Sequence, residues 1–362
     1  HEVNIKILLK AAIEAGELEE ASRNSLLASM TDEVAKKVLV HNYDQTGALS
    51  VAEASASLDL DSHERMMERL EAAGILNRLV EGLPKPEEIR TLHETKQGLT
   101  RPEIAVLLAY AKITLFDELV DSAVPSDPFL NDLYQSYFPE PLRKFDKAMD
   151  THRLKEEIIS TQLANDIINL GGATFVHRVK ERVGVETEDI ARAFVASLEI
   201  FELKPLLQRI DQLDNQVPAD VQIDLRLDLI NALRRQVFWL ASTRTVTGRI
   251  SGLVDQYGPA VSLLISDGKD TLSPYERDLL DTREEGYREK GAPSDVAHRV
   301  AMILSMTSAT DIVDLAARTD QDVLRTACLF SAVGSAFSFD RLRETALTLS
   351  LDQHWDRLAV RG

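Results

Sequence analysis

The stretch that decides the fold reads Gly98-Leu99-Thr100-Arg101-Pro102-Glu103-Ile104-Ala105-Val106-Leu107-Leu108-Ala109-Tyr110-Ala111-Lys112-Ile113. Thr100 can serve as the N-cap of a helix, and Glu103 has the spacing that completes a capping box. Pro102 falls in the first turn, where a missing backbone N–H is tolerated. Because the apolar side chains from here to about residue 120 cover most of a helix circumference, we predict a central, buried helix.

Helical spacing of apolar residues continues through most of the chain, and no segment alternates strictly between apolar and polar residues. We therefore predict an all-α fold, an irregular array of about a dozen helices without a nucleotide-binding sheet. Two further capping boxes are predicted, Asp61 with Glu64 and Ser273 with Glu276. The glycine pair at 171–172 is expected to end another helix.

The length of 362 residues exceeds that of a usual single domain. We divide the chain into a terminal helix at residues 1–15, a main helical domain at residues 16–250 and a second helical subdomain at residues 251–362. The first residue is His1 and no secretory leader pattern follows it. We therefore expect a piece of a longer protein.

Composition argues against several classes of partner. The net charge is −18, from 59 acidic and 41 basic residues, whereas binding to a phosphate backbone needs clustered Lys and Arg. The longest apolar run, residues 104–111, is short of the roughly 20 residues of a membrane span. A single cysteine, Cys328, argues against a disulfide framework and fits the reducing cytoplasm. We expect a cytoplasmic protein that binds neither nucleic acid nor a membrane.

A stripe of short polar side chains lies on one predicted helix near the middle of the chain. Three amides and one carboxylate are spaced at i, i+3, i+4 and i+7, on one face of a helix predicted to open near residue 151. Short amides of this kind suit buried hydrogen-bond networks or a polar contact with another surface. These four residues are Gln162, Asn165, Asp166 and Asn169.

Thr174, His177 and Arg178 come after the predicted glycine break and can fold back toward this stripe. The seven residues together form a candidate polar contact cluster, which would touch a catalytic domain or a small ligand. The alternative is a structural network that holds two helices at the corner, since buried polar groups normally satisfy one another.

The sequence contains no complete motif for metal binding, nucleotide binding or nucleophilic catalysis. His177 and Glu181 have the i, i+4 spacing of a helical metal pair, but two ligands do not make a metal site. No GxGxxG fingerprint follows a strand pattern, and neither a P-loop nor a GxSxG nucleophile elbow occurs. We therefore assign no catalytic, cofactor-binding or metal-ligating residue to this chain.

Four segments carry a resemblance to a known family. Leu99 to Ile113 resembles a motif of the large bacterial NAD-dependent glutamate dehydrogenases, in the region after their catalytic domain. Residues 1–9, 158–166 and 174–178 are similar to the same family, in the same order. The resemblance is good to about residue 201 and weaker beyond it.

The resemblance implies that this chain is the helical C-terminal region of such an enzyme, with the helix at residues 1–15 belonging to an upstream catalytic domain. The whole protein would convert glutamate, NAD and water to 2-oxoglutarate, ammonium and NADH. This region would be a scaffold without activity of its own, in contact with the catalytic domain and with other subunits of a homo-oligomer. NAD would bind elsewhere in the full-length enzyme.

Two alternatives remain open from the sequence. The chain can be a freestanding helical module that binds a partner helix in an apolar groove. It can also be a regulatory domain that senses a small molecule, which would need a defined pocket around residues 162–178.

Overall fold

The computed structural model describes residues 1–243, 248–339 and 341–342. These residues form nineteen α-helices and five short 3-10 segments, with no strand among them, and the prediction of an all-α fold is confirmed. The helices are α1 (Glu2–Glu14), α2 (Arg23–Ser29), α3 (Thr31–Ala54), α4 (Leu60–Ala72), α5 (Arg78–Glu81), α6 (Pro86–Thr95), α7 (Arg101–Val120), α8 (Asn131–Tyr137), α9 (Asp146–Asp150), α10 (Lys155–Gly171), α11 (Phe175–Val183), α12 (Thr187–Ile200), α13 (Leu203–Asp211), α14 (Ala219–Ser242), α15 (Ile250–Asp267), α16 (Pro274–Glu289), α17 (Ser294–Ser305), α18 (Ala309–Thr319) and α19 (Val323–Ala336).

The described part of the chain has more helices than the dozen expected. Several of the additional ones are short: α2 and α8 have seven residues each, α9 has five and α5 has four. A helix of one or two turns is too short to show a 3.6-residue hydrophobic period, so its tertiary contacts decide whether it forms.

Contacts divide the chain into two compact units. One comprises His1–Val195 with Val237–Ser251, and the other comprises Ala196–Gln236 with Gly252–Gly362. The segments 1–15, 16–250 and 251–362 predicted from the sequence stay a prediction.

In the first unit, α7 and α10 pack against each other at the centre of the core. As predicted, α7 is central, but it is not buried around its whole circumference, since Ile113 is 56% exposed. It buries Ile104, Leu107, Leu108, Ala111, Leu115 and Leu119, and α10 buries Ile158, Ile159, Leu163, Ala164, Ile167 and Ile168.

The start of α7 has the predicted capping box. The Thr100 amide donates to the Glu103 carboxylate at 2.6 Å, and the Thr100 hydroxyl donates to the same oxygen at 2.7 Å. Gly98, just before this box, lies against the backbone of Ala56, and a Cβ atom at position 98 would overlap the carbonyl carbon of Ala56. The glycine is therefore required by a close backbone approach.

The capping box predicted at Asp61 and Glu64 is wrong. Helix α4 begins earlier, at Leu60, with Asp59 as its N-cap residue, so Asp61 is already inside the first turn. The Asp61 carboxylate instead lies 3.3 Å from Nε2 of His93 in α6. The box predicted at the start of α16 is confirmed.

The glycine pair ends α10 as predicted. Gly171 is the last helical residue, and a Cβ atom there would lie 2.5 Å from Cδ1 of the Phe175 ring. Gly172 follows with φ of +84°, a left-handed conformation that favours glycine. The helix itself begins at Lys155 and not near residue 151, because residues 146–150 form the separate helix α9.

The second unit is held by pairs of helices with polar links between them. The Tyr257 hydroxyl of α15 donates to Asp314 of α18 at 2.8 Å. Gln236 of α14 donates to the Thr307 carbonyl at 2.9 Å and accepts from the Thr310 hydroxyl at 3.1 Å. These bonds fix the register of the helices within this unit.

No single described helix is long and apolar enough to cross a membrane. The pair α17 and α18 passes the same test of length and composition only when both helices are taken together, and they are bent by 57°.

Candidate functional site

The polar stripe of α10 lies on a half-buried face of that helix. Gln162 donates from Nε2 to the Leu133 carbonyl in α8 at 3.0 Å. Asn165 is half-buried, and the buried Oδ1 atom of Asn169 accepts no hydrogen bond. The stripe therefore includes one clear link between helices and one amide oxygen that stays unsatisfied.

Asp166 of the stripe faces a lysine of α7. Burial lowers the pKa of Lys112, and the carboxylates of Asp44 in α3 and Asp166 in α10 oppose that shift. Lys112 is half-buried at the place where these three helices meet. A cation in such a place needs nearby anions, because desolvation penalises its charged form. Asp166 of the stripe thus forms a charge cluster with Lys112 of α7 and Asp44 of α3.

The residues after the glycine break contact a different helix. Nδ1 of His177 lies 3.0 Å from the Arg69 guanidinium in α4, and Nε2 of His177 lies 3.1 Å from the Glu181 carboxylate. Arg178 donates to Oδ1 of Asp59 at 3.2 Å, next to the start of α4. The polar contacts of His177 and Arg178 therefore run toward α4, while Lys180 of the same helix donates to Glu118 of α7 at 2.7 Å.

Thr174 is buried at the start of α11, with 5% of its surface exposed. The seven residues of the predicted cluster consequently belong to two groups with different partners. Gln162 and Asp166 are directed to α8 and α7, whereas His177 and Arg178 are directed to α4 and Asp59. A functional role for either group stays a prediction.

Both ring nitrogens of His177 have a charged neighbour, and the pKa of the imidazole is lowered. Burial lowers the pKa of its imidazole, and the positive charge of Arg69 lowers it further, while Glu181 raises it. An Arg N–H always donates, so Nδ1 accepts and the proton of the neutral ring is on Nε2, toward Glu181. The His177–Glu181 pair is thus bonded directly. Among the described residues, no group of three or more His, Cys, Asp or Glu side chains could hold a metal ion.

A junction at the start of the chain was not found from the sequence. The His1 ring stacks on Tyr137 with 4.4 Å between centroids, and the Asn4 amide donates to the Tyr137 hydroxyl at 2.9 Å. The Asn4 carbonyl accepts from Nε2 of His152 at 3.1 Å. These contacts fasten α1 to α8 and to the connection before α10. They join residues more than 130 positions apart, a distance at which no sequence period reports a contact.

An open groove of about 560 Å³ lies beside the start of α10 and is bordered by Asp127, Lys155 and Glu156. Its acidic groups already have partners in the chain, and the third of them, Asp150, lies 3.8 Å from the Lys155 ammonium. Asp127 accepts from the Phe129 amide at 3.0 Å and from the Ile250 amide at 3.2 Å. Glu156 accepts from the Ser126 hydroxyl at 2.7 Å. These carboxylates therefore already serve contacts within the chain, and we predict no ligand for the groove.

Comparison with known families identifies what this helical array is. The family described as "Glutamate dehydrogenase, C-terminal" matches residues 96–362. The chain belongs to this family. A second family, described as "Bacterial NAD-glutamate dehydrogenase, catalytic domain", matches residues 1–52. The resemblance predicted from the four sequence segments is confirmed.

Individual relatives agree with this assignment. NAD-specific glutamate dehydrogenases of Pseudomonas aeruginosa, Halomonas elongata and Mycobacterium tuberculosis are 38%, 36% and 31% identical to this chain over 360 residues. In each case the match covers 99% of the chain and 22% of the relative. The chain therefore corresponds to about a fifth of each of these enzymes, in their C-terminal part.

Proposed function

We propose that this chain is the supporting helical region of an NAD-dependent glutamate dehydrogenase. The whole protein would oxidise glutamate with NAD and water to 2-oxoglutarate, ammonium and NADH. The residues described above would pack against the catalytic domain and bridge subunits of a homo-oligomer. They would also limit the movement of the catalytic lobes, because enzymes that close around a substrate depend on elements that guide this closure.

Helix α3 carries the main support for this proposal. It lies almost wholly within residues 1–52, which match the catalytic-domain family, yet its last turns are fixed by helices of the C-terminal family. Arg101 of α7 donates to the Ser50 hydroxyl at 3.2 Å, the Thr46 carbonyl at 3.1 Å and the Glu53 carboxylate at 3.0 Å. One rigid helix thus connects a segment of catalytic-domain sequence to the helical core.

NAD does not fit the residues at hand. Dinucleotide-binding folds hold the pyrophosphate at a glycine-rich turn between a strand and a helix. The ranges 1–243, 248–339 and 341–342 contain helices and no strand from which such a turn could start. We therefore assign the NAD site to the part of the whole enzyme outside this chain, and we expect this chain alone to be inactive.

A cytoplasmic location is part of the proposal. It is supported by the single cysteine in 362 residues, which suits a reducing compartment.

The test compares two proteins in one assay. NADH formation from glutamate and NAD is measured by absorbance for the full-length enzyme that contains this chain and for the chain alone. We expect activity in the full-length enzyme only. Activity of the chain alone would overturn the assignment of the chemistry to other residues, and an inactive full-length enzyme would overturn the proposed reaction.

A further inference from the structure

Helix α3 has an apolar surface in its middle that is open to solvent. Its last two turns are buried at Ala48 and Val51. Three consecutive aliphatic side chains lie further toward its start, and their exposed fractions are 45% for Val38, 66% for Leu39 and 48% for Val40. An exposed single aliphatic residue is ordinary. Successive residues of a helix are about 100° apart, so Val38 and Val40 flank Leu39 and the three side chains together cover the outward arc of α3, which we call the patch.

The opposite side of the same helix is held by polar contacts. The Lys37 ammonium donates to the Ser136 carbonyl at 2.7 Å, and the His41 ring meets the His1 ring edge to face at 5.3 Å between centroids. The side of α3 around positions 37 and 41 is therefore engaged with α8 and α1, while the patch around Leu39 remains uncovered. The orientation of α3 is fixed, so the patch cannot turn inward.

The family matches indicate what covers this patch. Val38, Leu39 and Val40 lie within residues 1–52, the match to the catalytic-domain family, whereas the C-terminal family begins only at residue 96. Aliphatic side chains that are exposed in a segment of catalytic-domain sequence fit a contact with the rest of such a domain. The chain spans 22% of the length of its relative from Pseudomonas aeruginosa, and in a polypeptide of that length the covering domain would be supplied by the remainder.

We propose that the patch formed by Val38, Leu39 and Val40 of α3 is the docking surface of this helical region for the catalytic domain of its own polypeptide. This inference rests on the proposed function and gives it a specific location. Leu39 is the most exposed of the three and would form the buried centre of the contact. Neighbouring charged residues of α3, such as Asp32 and Lys36, would form a hydrated rim, as in other interfaces.

The experiment measures how accessible the patch is in the full-length enzyme. Single variants Leu39→Cys and Leu58→Cys are labelled with a maleimide reagent, and the rate at each position is followed by peptide mass spectrometry. Leu58 is the matched control, because it is 84% exposed and lies just outside the catalytic-domain match. The native Cys328, exposed on α19, provides an internal reference in every sample.

We expect labelling at position 39 to be at least about tenfold slower than at position 58, since reagent reaches a covered thiol only after local opening. Equal rates would overturn the proposal. The occupant is identified with a photoactivatable maleimide attached at position 39. Crosslinks to peptides of the catalytic part support the proposal, and crosslinks to residues 96–362 of a second copy overturn it.

These outcomes are independent of the assay for the proposed function. An active Leu39→Cys enzyme that is labelled freely at position 39 would retain the function and reject the docking surface. An inactive full-length enzyme in which position 39 is protected would reject the reaction and retain the contact.

Discussion

The Arg69 guanidinium lies 3.0 Å from Nδ1 of His177, so a permanent cation donates a hydrogen bond to an imidazole nitrogen that has no proton. On its other side, His177 faces the Glu181 carboxylate at 3.1 Å. The hydrogen bond from Arg69 of α4 to His177 of α11 forms only while the ring is neutral, whereas the Arg178–Asp59 pair at 3.2 Å does not depend on the ring. Protonation of Nδ1 would bring two cations together and break the bond between Arg69 and His177.

The first prediction concerns pH. The pKa of His177 is lowered by burial and then by Arg69, and burial also lowers the pKa of His41, His63 and His152. The unfolded state, with a histidine pKa near 6.5, then binds more protons than the folded state. The free energy of unfolding must therefore fall as the pH drops below about 6.5.

Urea unfolding of this chain at pH 7.5, 6.5 and 5.5 measures this loss. The variant His177→Gln cannot take up the proton and keeps an oxygen that can accept from Arg69. We expect it to show a smaller loss of stability between pH 7.5 and 5.5 than the unchanged chain. An identical pH dependence in both proteins would exclude His177 as a contributor.

The second prediction concerns Gly98. A methyl group there would overlap the Ala56 carbonyl carbon, and the backbone cannot move aside as a flexible side chain can. We expect Gly98→Ala to lower the free energy of unfolding by about 2 kcal/mol or more. Gly47 in α3 is the matched control, since a Cβ atom there meets nothing within 4 Å. Gly47→Ala should stabilise the chain by about 0.5–1 kcal/mol, and a loss comparable to that of Gly98→Ala would contradict this reasoning.

The third prediction addresses the polar stripe of α10. Gln162 links this helix to the Leu133 carbonyl at 3.0 Å in a partly buried place. We expect Gln162→Ala to cost about 1 kcal/mol of stability in this chain, which is typical of one lost hydrogen bond. In the full-length enzyme, the KM for glutamate should not change if the link is structural. A raised KM with unchanged stability would instead assign the stripe to a functional contact.

The fourth prediction concerns Asp127, whose two carboxylate oxygens cap two segments at once, through the amides of Phe129 and Ile250. Asp127→Ala should lower the free energy of unfolding by about 1–2 kcal/mol, because two helix starts lose their acceptor. Asp127→Asn retains one acceptor oxygen and should give an intermediate value in the same urea titration. Equal losses for both variants would argue against the double cap.

Sequence reasoning succeeded where the signal is local. The start of α7, the glycine end of α10 and the cap of α16 follow from residues three or four positions apart, and the structure contains all three. It failed at Asp61, because the backbone of Asp59 already accepts from the Ser62 and His63 amides and starts α4 earlier. Two competing acidic residues in one turn cannot be ranked from their spacing alone.

The contacts of the candidate site could not be predicted, because the sequence does not show which helices pack against each other. The spacing of the stripe showed that Gln162 and Asp166 share a face, but it could not show that α8 and α7 lie opposite. Lys112, which interrupts an apolar run, was the available signal for the charge cluster. The bond between Asn4 and Tyr137 spans 133 positions and had no local signal.

The central claim is that these helices support a catalytic domain to which they are joined through α3. The most direct measurement is the activity and oligomeric state of the full-length enzyme truncated after Ala54, which retains the whole catalytic-domain match and α3 but removes the helices that bury Ala48 and Val51. We predict loss of NAD-dependent glutamate oxidation together with a smaller or aggregated assembly. Unchanged kcat, KM and oligomeric state in the truncated enzyme would contradict the account.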